Sequence, residues 1–183
     1  MSDLARERGV SPLDVMCELA VDEDLATRFR AYIANDDIAA VGDLLTHEHV
    51  VLGLSDAGAH VDQLCDAPLY TDLLGNWVRE RQLMPLEKAV RKLSGEAADM
   101  FGFVRRGYLR EGYFADVCVF DPRTVGPGPV RRVRDFPADA ERLTAEEPTG
   151  VQHVLVNGVP IRSDGRSQID SLERRPGMWA EIA

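Results

Sequence analysis

Val50-Val51-Leu52-Gly53-Leu54-Ser55-Asp56-Ala57-Gly58-Ala59-His60 is the stretch whose reading decides the fold. Its first five residues are apolar on both faces of a two-residue period, as expected of a parallel strand covered on both sides. Asp56 follows directly, at the C-terminal edge of the strand, where α/β proteins gather their sites. The small residues Ala57, Gly58 and Ala59 leave room for a ligand, and His60 lies on the same loop. Asp also starts turns and caps helices, so pattern alone leaves Asp56 evenly poised between a turn residue and a catalytic one.

Helices surround this stretch. Ser11-Pro12-Leu13-Asp14 is a helix start, with Ser as N-cap, Pro at the first helical position and an acid in the first turn. Val15, Leu19 and Ala20 extend it to about Val21. Residues 25–33, LATRFRAYI, alternate well enough for a strand and also admit a helix. Asn35-Asp36-Asp37 precedes a helix over 38–45. Beyond the strand, Leu73, Leu74, Trp77 and Val78 share one side of a helix over 70–81. Leu86, Ala89, Val90 and Leu93 do the same over 85–93, and a short helix over 95–101 stops at Gly102.

After Gly107 the pattern becomes β-rich, beginning with 115–120. Residues 122–150 hold five of the ten prolines and three glycines and are expected to be mostly loop. Asn157-Gly158 between two apolar runs is a hairpin signal, because a type I′ turn needs two positive φ angles. A boundary near residue 104 therefore divides an α/β part, 1–104, from a β part with a long loop and C-terminal tail, 105–183.

Charge narrows the function. There are 31 acidic and 21 basic side chains, with 17 against 9 through Ser94 and 14 against 12 beyond it. Phosphate neutralisation needs clustered Lys and Arg, so nucleic acid is excluded as a partner. No apolar run approaches the ~20 residues that span a bilayer, and MSDLARERGV lacks a signal-peptide apolar region. Three widely spaced cysteines, Cys17, Cys65 and Cys118, make no disulfide framework. A soluble cytoplasmic protein is expected.

Other chemistry-bearing residues are weaker candidates. His47-Glu48-His49 has the spacing of a metal pair but precedes the strand that Asp56 follows. At ~3.3 Å per residue the two ends lie roughly 20 Å apart, so the histidines read as surface residues of the helix-to-strand turn. His153 sits inside a strand. Cys65 has no second thiol or imidazole at metal spacing and reads as a small, partly buried residue. Arg131-Arg132-Val133-Arg134 reads as a solvated loop. Neither a phosphate-cradling glycine loop nor a Gly-x-Ser-x-Gly elbow is present.

In order along the chain, 51–60, Leu73-Leu74 and Trp77-Val78-Arg79-Glu80-Arg81 resemble the end of the barrel in the N-acyl-D-amino-acid deacylase (D-aminoacylase) branch of the metal-dependent amidohydrolase superfamily. Leu86-Glu87-Lys88-Ala89-Val90, Ser94-Gly95-Glu96-Ala97-Ala98, Phe101-Gly102, Gly107-Tyr108-Leu109, 112–117 and 119–121 look like the segment that leads from that barrel into its β-sandwich. Val154-Leu155-Val156-Asn157-Gly158 is similar to the final hairpin. The resemblance implies the last strands and helices of a (β/α)₈ barrel, incomplete here, followed by part of a small β-sandwich. Residues 25–33 would be the seventh strand and 50–54 the eighth. Asp56 would contact a zinc centre, take a proton from the metal-bound water and pass it to the leaving amine. Ser55, Gly58 and His60 are the expected substrate-binding residues for a small amide substrate.

The family barrel takes ~250 residues, against 183 here including the β part. The family's His-x-His ligands after the first strand lie outside this sequence. Asp56 is thus expected to bind metal only within a complete site, and the chain to be inactive and without tightly bound zinc by itself. Two alternatives stay open: a subunit completed by a partner chain, and a non-catalytic, self-associating α/β module. A homo-oligomer is expected, because an unpaired eighth strand leaves an open edge. Phe29, Leu52, Leu54 and Trp77 are the residues expected at the exposed surface or a new interface.

Overall fold

The computed structural model describes residues 1–32, 34–145 and 147–182. It divides into two compact units, Met1–Ile38 and Ala39–Ala183. Among the described residues, no helix is long and apolar enough to cross a membrane.

The first unit is a helical pair, α1 (Ser2–Arg8) and α2 (Pro12–Asp22). The expected cap is present: Asp14 N–H donates to Ser11 Oγ at 3.2 Å, and the Ser11 backbone N–H donates back to Asp14 Oδ2 at 3.2 Å. Ala5 and Val15 are buried where the helices meet. The segment 25–32 is irregular rather than the expected strand, and Ile33 lies outside the described residues. Leu25 takes a left-handed φ of 63° as its N–H closes back on Ala20 O, and the Thr27 hydroxyl donates to Leu19 O at 3.0 Å. Local hydrogen bonds to α2 thus take the place of a ladder.

In the second unit, α3 (Ile38–Thr46) leads into the decisive stretch, and 50–54 also forms no strand. A strand is stabilised by the ladder of its neighbour, and among the described residues no extended segment pairs with 50–54. The segment is anchored instead by Leu52, which packs on the core, and by the ammonium of Lys92, which donates to Val50 O at 2.8 Å. That core consists of Leu73, Leu74, Met84, Ala89 and Val125. Leu54 and Phe29 are exposed as expected, but Leu52 and Trp77 are partly buried, Trp77 against the same core.

The helix expected over 70–81 begins as α4 (Leu69–Asp72) and continues as a π-helix, Leu73–Glu80. Gly75 lets it approach the chain at Val125: a Cβ there would lie 2.7 Å from Val125 O. Arg79 Nη1 donates to the same carbonyl at 2.5 Å. Next come α5 (Leu86–Leu93) and α6 (Gly95–Phe101), the latter ended by Gly102 at φ 67°.

Two antiparallel sheets follow. The first joins β1 (Val117–Phe120), β4 (Val151–Val156), β5 (Val159–Ser163) and β6 (Arg166–Ser167) in the order β1-β4-β5-β6. Asn157 and Gly158, at φ 48° and 79°, make the expected β4–β5 turn. The second sheet corrects the reading of the middle of 122–150, and of 131–134 with it, as loop, while Arg131 and Arg134 stay exposed as expected. It pairs β2 (Val130–Phe136) with β3 (Ala140–Ala145), from Val130 opposite Ala145 to Phe136 opposite Ala140. Cross-strand ion pairs accompany the ladder of this ribbon, which has little apolar alternation to announce it. Arg134 pairs with Glu141 at 2.6 Å and Arg132 with Glu141 at 3.2 Å, while Arg142 pairs with Asp135 at 2.7 Å.

Candidate functional site

Ser55, Asp56, Gly58 and His60 share one loop, built from successive turns. Ala59 N–H donates to Asp56 O at 3.0 Å, and Gln63 and Leu64 N–H groups donate to His60 O at 2.7 and 3.0 Å. Ala57 N–H points to Ser55 Oγ at 3.4 Å. Asp56, Gly58 and His60 all have positive φ, at 51°, 99° and 46°. Asp and His are among the residues that tolerate this region best. A Cβ at Gly58 would meet open space, so its glycine serves the backbone angle rather than a close contact. The Asp56 and His60 side chains are exposed.

Residues that sequence reasoning did not assign to the site complete the surroundings. The β2–β3 ribbon is tied to this loop at two points: Leu143 N–H donates to Val61 O at 2.6 Å, and Arg132 Nη2 donates to Asp62 O at 3.0 Å. Between them lies a cleft of about 440 Å³, lined by Ala57, Gly58 and Cys65 on the loop side and by Phe136 and Arg142 on the ribbon side. The Arg142 guanidinium, bound to Asp135, holds that carboxyl below its ordinary value. The sequence signal for the ribbon is the opposed placing of charges about Pro137, with Arg132 and Arg134 before it and Glu141 after it. A second cavity, about 400 Å³ and lined by Tyr70, Leu74, Tyr108 and Phe120 among others, contains none of the candidate residues.

His47 and His49 lie on the turn before the loop, with rings 5.6 Å apart, and His49 is well exposed. His153 lies on β4, 3.8 Å from Asp164. Among the described residues, no three or more His, Cys, Asp or Glu side chains converge as metal donors. A catalytic zinc site takes three protein ligands, so the residues present do not by themselves fit a zinc centre. The chain purified without a histidine tag is therefore expected to hold no stoichiometric zinc. Metal analysis that found one or two tightly held ions per chain would contradict this.

The chain belongs to the amidohydrolase family, whose model matches residues 1–162. A D-aminoacylase of Alcaligenes xylosoxydans xylosoxydans is 34% identical over 168 residues, which cover 88% of this chain and 30% of the relative. A crystal structure of D-aminoacylase, one that defines a novel subset of amidohydrolases, superposes with a TM-score of 0.53 at 31% identity. That superposition covers 90% of this chain and 31% of the other. An N-acyl-D-glutamate deacylase from Bordetella bronchiseptica, solved with zinc and a phosphonate mimic of the tetrahedral intermediate, is 39% identical. There the overlap is 55% of this chain and 20% of that one, with a TM-score of 0.41. The chain thus spans about a third or less of the length of these relatives.

Proposed function

We propose that this chain is the part of an N-acyl-D-amino-acid deacylase that carries Asp56, the group that moves the proton during hydrolysis of the amide. On this reading 1–104 correspond to the closing βα units of a (β/α)₈ barrel, and 105–183 to part of its small β-sandwich. The observation that carries the proposal is the identity to D-aminoacylase along 168 residues. It agrees with the ordered motifs, and with a carboxylate on an exposed loop of small residues.

The chemistry requires such a group. An amide nitrogen leaves readily only as a protonated amine, so a proton must reach it as the C–N bond breaks. A positioned carboxylate, ionised to accept a proton and neutral to give one, contributes ~10²–10⁴-fold in such reactions. Ser55, Gly58 and His60 stand beside it as substrate-binding groups.

The test is a hybrid in which residues 1–162 replace the corresponding part of the Alcaligenes D-aminoacylase. It is expected to hydrolyse N-acetyl-D-amino acids in preference to their L enantiomers. A folded, metal-loaded hybrid without activity on any N-acyl amino acid would overturn the reading.

A further inference from the structure

The second cavity lies between the helices and the first sheet, and its walls have a chemistry of their own. Its volume, about 400 Å³, falls within the ~300–1,000 Å³ of small-ligand pockets. Leu74, Val90 and Leu93 line it from the helices, and Val117, Phe120 and Val151 from β1 and β4. Most polar side chains on the wall are already engaged within the protein. The Tyr108 hydroxyl donates to Asp99 Oδ2, that of Thr71 to Pro68 O at 3.0 Å, and that of Ser94 to Val90 O at 2.7 Å. Asp116 is the one charged residue on the wall among the described residues. Its Oδ2 pairs with Arg106, and its Oδ1 accepts the Asn157 backbone N–H at 2.8 Å. Tyr70 and Cys118 are exposed. The Tyr108 ring is also fixed in place. A Cβ at Gly95 would lie 2.7 Å from its Cζ, so glycine admits the ring there, and the Arg110 guanidinium lies 4.6 Å from the ring centroid.

We propose that this cavity is a binding site for a small, uncharged, apolar molecule, separate from the Asp56 loop. The inference stands apart from the deacylase reading, since none of Ser55, Asp56, Gly58 and His60 lines the cavity. The class of ligand follows from the wall. An ion that entered would give up its water and meet only a carboxylate already paired with Arg106, an exchange that burial of charge makes strongly unfavourable. An apolar molecule gives up little to water and gains contact with the aliphatic and aromatic side chains on both sides. The cost of ordering the wall is low, because Tyr108 is held by Asp99, Gly95 and Arg110 before any ligand arrives.

The experiment is a nuclear magnetic resonance titration of the chain with benzyl alcohol, benzoate and benzylammonium, which share one ring and differ in charge. It is followed at the amides of Leu74, Leu93, Val117 and Val151. Benzyl alcohol is expected to shift all four and to bind at least ~10-fold tighter than either ion. Intermolecular Overhauser contacts should run from its ring protons to the methyl groups of Leu74, Leu93 and Val151. Val90→Trp, which fills space on the helical wall, should abolish the response. The Overhauser contacts are read in the wild type, so they decide the matter even if that variant does not fold. The proposal is overturned if benzyl alcohol shifts none of the four amides, if the ions bind as tightly, if the Overhauser contacts are missing, or if a folded Val90→Trp binds as the wild type does. Shifts of the same amides with protein concentration alone would mark the cavity as a contact between copies of the chain, and would overturn it too.

Discussion

Asp56→Asn in the hybrid enzyme is expected to lower kcat for N-acetyl-D-amino acids by ~10²–10⁴-fold while leaving the protein folded. The structural cost is small for two reasons. Asp56 is exposed, and the hydrogen bond that closes its turn runs from Ala59 N–H to the backbone carbonyl, which the substitution keeps. Its φ of 51° is one that Asn adopts as readily as Asp. What disappears is the ability to carry a proton, since an amide can neither accept one from water nor deliver it to the amine. His60→Ala is expected to cost less, as His60 is placed to orient substrate. The measurement is steady-state hydrolysis by wild type and both variants, with metal content determined in parallel. Near-wild-type turnover by a metal-loaded Asp56→Asn would make Asp56 a turn residue.

Lys92→Met should produce the largest loss of stability. Lys92 is only 2% exposed, and its ammonium donates to Val50 O at 2.8 Å, to His47 O at 3.4 Å and to Glu96 Oε2 at 3.3 Å. One turn earlier on the same helix, Lys88 Nζ donates to Thr46 O at 3.1 Å. Together the two lysines hold the end of α3 and the turn from which the Asp56 segment leaves. Methionine fills much of the volume but donates nothing. A buried acceptor left without its donor costs ~1–3 kcal/mol, and breaking a buried ion pair ~3–5 kcal/mol. Glu96 keeps 28% of its side chain exposed and can rehydrate, so a total of ~2–4 kcal/mol is expected. Urea denaturation should show it, with faster amide exchange over 47–52. A change within ~0.5 kcal/mol, the range of an ordinary surface substitution, would show that this buried ammonium is not an anchor.

Legibility in the sequence followed the range of the interactions. The Ser11 cap, the stop at Gly102 and the Asn157-Gly158 turn depend on a few neighbouring residues, and all three were readable. The apolar periods of 85–93 and 70–81 were readable too, though not the π-helical widening over Leu73–Glu80. Residues 25–32 and 50–54 have a strand-like composition, but pairing depends on a neighbour that composition does not supply. The β2–β3 ribbon failed in the opposite direction. Its charges and the prolines within and beside it resemble loop, and the pairing of Arg132, Arg134 and Arg142 with Glu141 and Asp135 depends on two strands meeting in the fold. At the candidate site, Asp56 and its small neighbours were visible as a local pattern. The ribbon that covers one side of their loop was not, because Leu143 and Val61 meet only after the chain has folded.

The proton-transfer claim at Asp56 is tested most directly by changing the leaving group. An alkoxide leaves with far less help from a proton than an amine nitrogen does. The rates to compare are those of an N-acetyl-D-amino acid and of the matching O-acetyl-D-hydroxy acid, in the hybrid and in its Asp56→Asn variant. If Asp56 delivers the proton to the amine, the substitution will slow the amide at least ~10-fold more than the ester. Equal losses for the two substrates would contradict the account.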